Sequence, residues 1–525
     1  MEALLKFIKH RPAHGQLSVR FLSCPVESKA EDKNSCDTEN CLPQPDQDKG
    51  FSEVKSFKSI PGPKSYPVIG TLWKYIPLIG EYKFDRLHEN GLKKLQQFGP
   101  LVREDIVPGV PVVWVYTPSD IERVYRSEGR FPERRSHLAL KKYRKDRPHI
   151  YNNGGVLLSE GAEWWRLRSV FQRNLNRIQD VRSHLSETDA IMREFIQFAA
   201  RSSDITDFLP KLSRLYLELT GMVTFSTRLQ SFSIEEQDKH SVTSQLIEAA
   251  FSVNSCILKT DNGPRLWQHW RTPLYHKMEK SLSIIEKKAM ELMKNVRAGE
   301  NASLVSQYLT CPELDQKDIY TMAIDIMLAA IDTTTYTSCF VLYHLATNPE
   351  AQERLHQEAC QLLPSPQDCV SGDVLARASI TRSIIKETFR LNPVSVGIGR
   401  ILAKDTVLSG YNVPSGTVVV TQNQVTCRLE EFFPRPNEFI PERWLRGSPG
   451  YQPFNPYLVL PFGHGTRACI ARYLAEQNLY VLILRLIRDY VVTWHGGKLG
   501  VLSVLINRPD QPVLLALTKR GTSSS

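Results

Sequence analysis

The chain reads as a mainly α-helical protein with a small β region, built as one large folded unit from about residue 56 to residue 525. Three observations predict this. The run from about Leu314 to Thr347 contains no proline or glycine and ends at Asn348-Pro349, a cap and a proline suited to the first position of a following helix. At about 1.5 Å per residue such a helix spans roughly 50 Å. The 525 residues show no internal repeat and no compositional break after about Ser56, and chemistry-bearing segments lie from residue 164 to residue 469, so one unit must close over nearly the whole chain. An apolar fraction of 42% is sufficient for a sizeable core. The small sheet is expected around Leu101 to Tyr116 and Arg400 to Val420.

In chain order, residues 1–24 carry Lys6, Lys9, Arg11 and Arg20 against only Glu2. They hold no apolar run near the roughly 20 residues that span a bilayer. Alternating apolar and basic residues before Arg20-Phe21-Leu22-Ser23 predict a mitochondrial transit peptide, with placement on a microsomal membrane surface as the alternative. Residues 25–55 turn polar and acidic, with seven Asp/Glu against three Lys from Pro25 to Gly50, and are expected to form a solvated, disordered linker. Ten scattered cysteines without a C-x-x-C pair imply a reducing compartment.

The net charge of +10 is modest for this length, but Phe131 to Arg147 carries seven Lys/Arg and two acids. This run is either a solvated face or a docking strip for an acidic partner. Nucleic acid is a poor partner, because aromatic interleaving and a binding module are missing. Trp164 and Arg168 lie i and i+4 in Glu163-Trp164-Trp165-Arg166-Leu167-Arg168, in isolation an ordinary helix-surface pair. Midway along the long apolar helix stands Ala329-Ala330-Ile331-Asp332-Thr333-Thr334-Thr335. Its hydroxyls and carboxylate compete with backbone hydrogen bonds, and such a local conflict marks a functional site unless it is merely an exposed stripe. Glu387 and Arg390 sit i and i+3, sharing a helix face. Val394, Val396 and Ile398 precede Arg400, a side chain suited to carboxylates. Arg443 follows in Pro441-Glu442-Arg443-Trp444.

The most informative stretch is Phe462-Gly463-His464-Gly465-Thr466-Arg467-Ala468-Cys469-Ile470-Ala471-Arg472. Its glycines let the backbone turn tightly and lie against a flat ligand, and Arg467 is free to meet an anionic edge. A cysteine at a helix N-terminus beside a cation is biased toward thiolate, and a thiolate can ligate iron. The bland alternative for Cys469 is a buried structural thiol.

The loop resembles the haem-binding signature of the cytochrome P450 family, F-G-x-G-x-R-x-C-x-G, at every defined position but the last, where Ala471 stands for glycine. The resemblance extends over residues 56 to 515 and implies the family's fold, a thiolate-ligated haem b with Cys469 as the axial ligand of its iron, and a monooxygenase. By it, Phe462, Arg467, Trp164, Arg168 and Arg400 hold the haem. Asp332 and Thr333 are the acid and alcohol of a proton relay, with Ala330 in place of the usual glycine. Glu387, Arg390 and Arg443 form a buried scaffold triad, and Ala329, Val394, Val396 and Ile398 line the substrate pocket. Anionic sulfur pushes electron density onto haem iron and favours O–O cleavage, while the alcohol and acid supply protons.

Two longer stretches, from Ile60 to Leu95 with Val102 to Trp114, and from Phe131 to Pro148 leading into Glu163 to Gln172, resemble the arthropod mitochondrial branch of the family that hydroxylates ecdysteroid precursors at side-chain carbon 22. That implies a sterol substrate and molecular oxygen, a ferredoxin of the adrenodoxin type with its NADPH-dependent reductase, and peripheral contact with the inner mitochondrial membrane, on its matrix side. Arg382, Lys386 and Arg472 are then the ferredoxin-docking residues, with Tyr473 where mitochondrial relatives often have a second arginine. The alternatives are another ecdysteroid position, a xenobiotic, or, from a different class, a haem-thiolate sensor or sterol-binding protein, which would be expected to have lost the Asp332-Thr333 pair.

Overall fold

One 32-residue helix, Gln316–Thr347, organises the molecule. The structure is a computed structural model that describes residues 54–521 apart from 108, 202, 203 and 264. The expected transit peptide at 1–24 and nearly all of the expected linker at 25–55 lie outside the described residues. Lys55 already bridges to Tyr411 of the body, its N–H donating to the Gly410 carbonyl at 3.0 Å.

Among the described residues, twelve helices have eight residues or more. They are α1 Leu87–Phe98, α2 Pro118–Arg126, α3 Leu138–Lys145, α4 Gly161–Leu175, α5 Leu185–Ala199, α6 Phe208–Phe225, α7 Val242–Asn262, α8 Pro273–Met293, α9 Gln316–Thr347, α10 Pro349–Leu362, α11 Ser379–Leu391 and α12 Arg472–Asp489.

Helix α9 starts in a reciprocal cap. The Asp318 N–H donates to the Asp315 carboxylate at 2.8 Å, and the Asp315 N–H donates back to Asp318 at 3.4 Å, which satisfies two of the free N–H groups of a helix start. At its other end Pro349 opens α10 as expected. Asn348 does not cap α10 through its side chain, however; its amide closes α9 by donating to the His344 carbonyl at 2.8 Å. Helix α9 is long and apolar enough to cross a membrane, yet 72% of its most apolar window is buried within the fold, so its hydrophobicity serves core packing.

Two hydrophobic cores meet along α9. One gathers α3, α4, α7, α8 and the first half of α9, ending at Ile331. The other gathers α5, α6, α10, α11, α12 and the second half, beginning at Cys339. The polar stretch from Asp332 to Ser338 falls on the seam between them.

The small sheet forms where expected. Its strands are β1 Leu101–Val107, β2 Val110–Val115, β3 Ile398–Ile401 and β4 Val418–Thr421, in the spatial order β1-β2-β4-β3. β1 and β2 are antiparallel with Leu101 opposite Val115, β2 and β4 are parallel with Val113 opposite Val419, and β3 is antiparallel to β4 with Arg400 opposite Val419. Leu101, Val113, Val115, Val419 and Leu402 bury a third core beneath it, which fixes the position of Arg400. The Pro61-Gly62 segment runs against β1: a Cβ on Gly62 would fall 1.8 Å from the Arg103 carbonyl oxygen. After α12 come β5 Tyr490–Trp494, β6 Asn507–Pro509 and β7 Leu514–Lys519, with β5 and β7 paired antiparallel.

Candidate active site

The loop carrying Cys469 is held by two turns that need left-handed backbone. Gly463 and Gly465 have φ of +75° and +71°, conformations that strain any side chain with a Cβ. The Cys469 N–H donates to the Phe462 carbonyl at 2.8 Å, and the Ala468 N–H to Gly465 at 3.0 Å. A Cβ at Gly463 would meet only Ala468 and Ile398 at ordinary contact distance, so conformation, more than space, calls for glycine there.

Phe462 stands edge-on to Phe389 of α11, with ring centroids 5.3 Å apart. Phe389 lies between Glu387 and Arg390, and these two form with Arg443 the predicted buried triad. Glu387 accepts from Arg390 Nη2 at 2.7 Å, Arg390 Nε at 2.9 Å, Arg443 Nε at 3.3 Å, Trp444 Nε1 at 2.9 Å and the Ile440 N–H at 3.0 Å. Arg390 also donates to the carbonyls of Cys427, Pro436 and Glu438. A buried ion pair is tolerable only with this degree of hydrogen bonding, and here it ties α11 to the segment leading into the cysteine loop.

Cys469 retains accessible surface, yet burial is the largest influence on its thiol and pushes it up. Accessible surface deep inside a fold is the wall of an internal cavity. The direction runs against the expected bias toward thiolate: α12 begins only at Arg472, so Cys469 stands outside its first turn, and the Ala471 N–H, then Arg168 and Arg472, which all favour the anion, are outweighed by desolvation. Deprotonation here is left to a metal, which ionises a coordinating thiol outright.

Around this cavity the fold brings together Arg168 of α4, Arg400 of β3, Arg467 of the loop and Arg134. Arg467 donates to the carbonyls of Pro132 at 2.9 Å and Ser159 at 2.6 Å, and its guanidinium lies 4.1 Å from the ring of the fully buried Trp164. Arg400 is paired with Glu128 and donates to the His464 carbonyl at 3.1 Å. Arg168 donates to Gln172 at 3.2 Å. Burial, then Arg134 and Arg400, pull Arg467 down to about 9, and burial, then Arg400 and Arg168, pull Arg134 down to about 10. Arg467 Nη1 and Arg134 Nε are buried without a hydrogen-bond partner.

Four guanidiniums crowd one another, with Glu128 paired to Arg400 and with Glu160 and Asp325 acting more weakly on Arg467 and Arg134, which leaves an excess of positive charge. The two propionates of a haem would answer that excess, while the thiolate would neutralise the positive iron–porphyrin core. The charge, the unpartnered donors and the cavity wall at Cys469 all fit that group.

Midway along α9, Ala329 is exposed, with Ala330 and Thr333 half-exposed. The Thr333 hydroxyl donates to the Ala329 carbonyl at 2.7 Å. Asp332 is 1% exposed and turned to α7, where Asn254 Nδ2 donates to its Oδ2 at 2.5 Å. Burial raises its carboxyl to about 7, against the Asn254 and Thr333 hydrogen bonds. Val394, Val396 and Ile398 are half-buried on the segment leading into β3, and Ile398 reaches the cysteine loop at Gly463.

Arg382, Lys386 and Arg472 form one electrostatic cluster: Arg382 and Arg472 both lower Lys386, after burial. Arg446, which the sequence reading missed, belongs to the same group. In the basic run from Phe131 to Arg147, by contrast, most of the cations already have intramolecular partners. Arg144 is buried against Asp325 and Arg147 pairs with Glu279 at 3.3 Å, Lys141 and Lys142 pair with Glu160 and Asp146, and Arg134 turns inward to the cavity. Helix α3 packs this segment onto α7, burying Arg144 while Lys141 and Lys145 stay exposed.

Residues 60–500 match the family model described as Cytochrome P450. The chain is a cytochrome P450. It is therefore a haem-thiolate monooxygenase, which requires an electron donor, an organic substrate and oxygen. Among curated proteins it is 49% identical over 474 residues to Cytochrome P450 302a1, mitochondrial, of Drosophila melanogaster, covering 89% of this chain and 96% of that one. It is 30% identical over 486 residues to Probable cytochrome P450 301a1, mitochondrial, of the same fly, covering 88% and 87%. Ecdysone 20-monooxygenase, also from D. melanogaster, is 29% identical over 484 residues, 88% of each chain.

Proposed function

We propose that this cytochrome P450 hydroxylates side-chain carbon 22 of an ecdysteroid precursor in the mitochondrion, in the synthesis of moulting hormone, with electrons from a ferredoxin and its NADPH-dependent reductase. The observation that carries this reading is the 49% identity to Cytochrome P450 302a1 over nearly the full length of both chains, joined to the resemblance to the arthropod ecdysteroid 22-hydroxylase called disembodied. A relative named for ecdysone oxidation supports the substrate class. Relatives named mitochondrial support the compartment.

In this reading Cys469 would ligate the haem iron, and Arg134, Arg168, Arg400 and Arg467, with Trp164 and Phe462, would hold the haem. Bound haem supplies cleavage of dioxygen and transfer of one oxygen atom to a C–H bond. The chain supplies position and protons. Ala329, Val394, Val396 and Ile398 give an apolar wall that holds a sterol in register, since choice among neighbouring methylenes depends on orientation. Asp332 keeps a carboxyl that exchanges its proton near neutrality, where a general acid is most effective. Thr333, its own proton on the Ala329 carbonyl, presents oxygen lone pairs to the cavity. The cluster of Arg382, Lys386, Arg446 and Arg472 docks the acidic ferredoxin. The exposed apolar side chains of Val68, Ile69, Leu78 and Ile79 provide the peripheral contact with the inner membrane.

The test is incubation of the purified protein with an ecdysteroid precursor, ferredoxin, reductase and NADPH, followed by mass spectrometry. One main product hydroxylated at carbon 22 is expected; oxidation mainly on the rings, or no sterol turnover beside rapid xenobiotic oxidation, refutes the substrate assignment. Cys469→Ser should abolish the long-wavelength Soret band of the reduced carbonyl complex, and retention of that band would remove Cys469 as ligand.

A further inference from the structure

The acid and alcohol assigned to proton delivery are neighbours in sequence but do not face the same space. Thr333 and Ala329, i and i+4, lie on the accessible face of α9. Asp332 lies about a hundred degrees round the helix, 1% exposed, with Oδ2 bound to Asn254 of α7 at 2.5 Å and Oδ1 buried without a partner. A buried carboxylate with one oxygen unsatisfied is costly to hold, and the group that fixes its rotamer is a neutral amide 78 residues away in the chain.

We propose that Asn254 is a positioning residue for proton delivery: it holds the Asp332 carboxyl against α7 and off the cavity face, so that the acid serves Thr333 only when that hydrogen bond opens. The proposal rests on the proton-relay reading above. The proton moved is that of the Asp332 carboxyl, which leaves a carboxylate that Asn254 recaptures and stabilises; solvent then reprotonates it. Two other ionisable groups act on this spot. Tyr336, one turn along α9, is raised by burial and by Asp332, against the opposing charge of Arg508 of β6. Phe251 of α7 packs against Tyr336 with centroids 5.5 Å apart, so α7 contacts the same turn of α9 through both Asn254 and Phe251.

Asn254→Leu removes the donor at similar volume, Asn254→Gln keeps an amide, and Asp332→Asn is the reference. In the haem-loaded resting protein, difference infrared spectroscopy follows the carboxyl stretch absent from Asp332→Asn. Its titration midpoint should move up by about one pH unit in Asn254→Leu, because a donor to the charged form is lost, and return toward wild type in Asn254→Gln. The pH midpoint of product formed per electron pair should shift by the same amount, with haem content and the substrate-induced spectral change unaltered. If Asn254→Leu does not accumulate, Asn254→Ser, too short to reach, gives the same readout. An unmoved infrared midpoint overturns the hold on the acid. A moved midpoint with an unmoved turnover profile overturns its link to delivery. A wild-type coupling ratio in Asp332→Asn would instead sink the relay reading, and this proposal with it.

Discussion

Asp332→Asn isolates the cost of placing an acid at the seam of two cores. The carboxyl is raised from its ordinary 3.8 to about 7, mainly by burial. Three units at about 1.4 kcal/mol each set a ceiling of about 4 kcal/mol. Because the folded value lies above the unfolded one, the penalty is absent below about pH 4, where both states are protonated. It grows as the unfolded state ionises while the native state keeps its proton, and is complete once pH has risen through about 7. Asparagine has no such dependence, and its carbonyl can still accept from Asn254. With an unfolding entropy of about 2.1 cal/mol/K per residue, a body of about 470 residues converts 4 kcal/mol to about 4 °C. The variant should therefore melt at most about 4 °C higher than wild type at pH 8, and the gap should shrink by about 3 °C toward pH 5. Scanning calorimetry of the haem-loaded proteins across that range is the assay. A gap that stays constant, or widens toward acid, would refute a buried carboxyl of raised pKa.

Glu387→Ala should destabilise by about 3–5 kcal/mol, because it strands two buried guanidiniums, and should depress the yield of haem-loaded protein; a denaturant midpoint within error of wild type would deny the triad its scaffold role. Arg382→Glu with Lys386→Glu should raise the apparent KM for ferredoxin and flatten its salt dependence while sparing substrate binding, since exposed charges mainly steer encounter. Adding Arg446→Glu should deepen the effect, and unaltered ferredoxin kinetics would place docking on another face.

What could be read from the sequence were features whose partners lie within one segment. Glu387 and Arg390 share a helix turn, Gly463 and Gly465 sit in the loop they shape, and α9 declares itself by its uninterrupted run; even its capping box, Asp315 and Asp318 at N-cap and N3, was there to be found. The resemblance supplied the longer links, from Arg443 to Glu387 and from Trp164, Arg168, Arg400 and Arg467 to one haem. Partners joined only by folding were invisible. Asn254 is an unremarked residue of an amphipathic helix until α7 crosses α9, and Arg134 is one cation of a basic run until its segment turns under the cysteine loop.

The thiol of Cys469 shows what local reasoning leaves out. Helix dipole and nearby arginine both favour an anion, but the dipole acts only within the first turn, which starts beyond Cys469, and burial of the thiol outweighs the arginines. The positive charge was legible residue by residue as Arg168, Arg400 and Arg467. Its excess was not, because that depends on Glu128 answering one arginine and on Arg134 adding another. A site that presses four guanidiniums together is unfavourable for the protein alone and is relieved by a bound group carrying two carboxylates. The demand for that group is thus a property of the assembled charges rather than of any one motif.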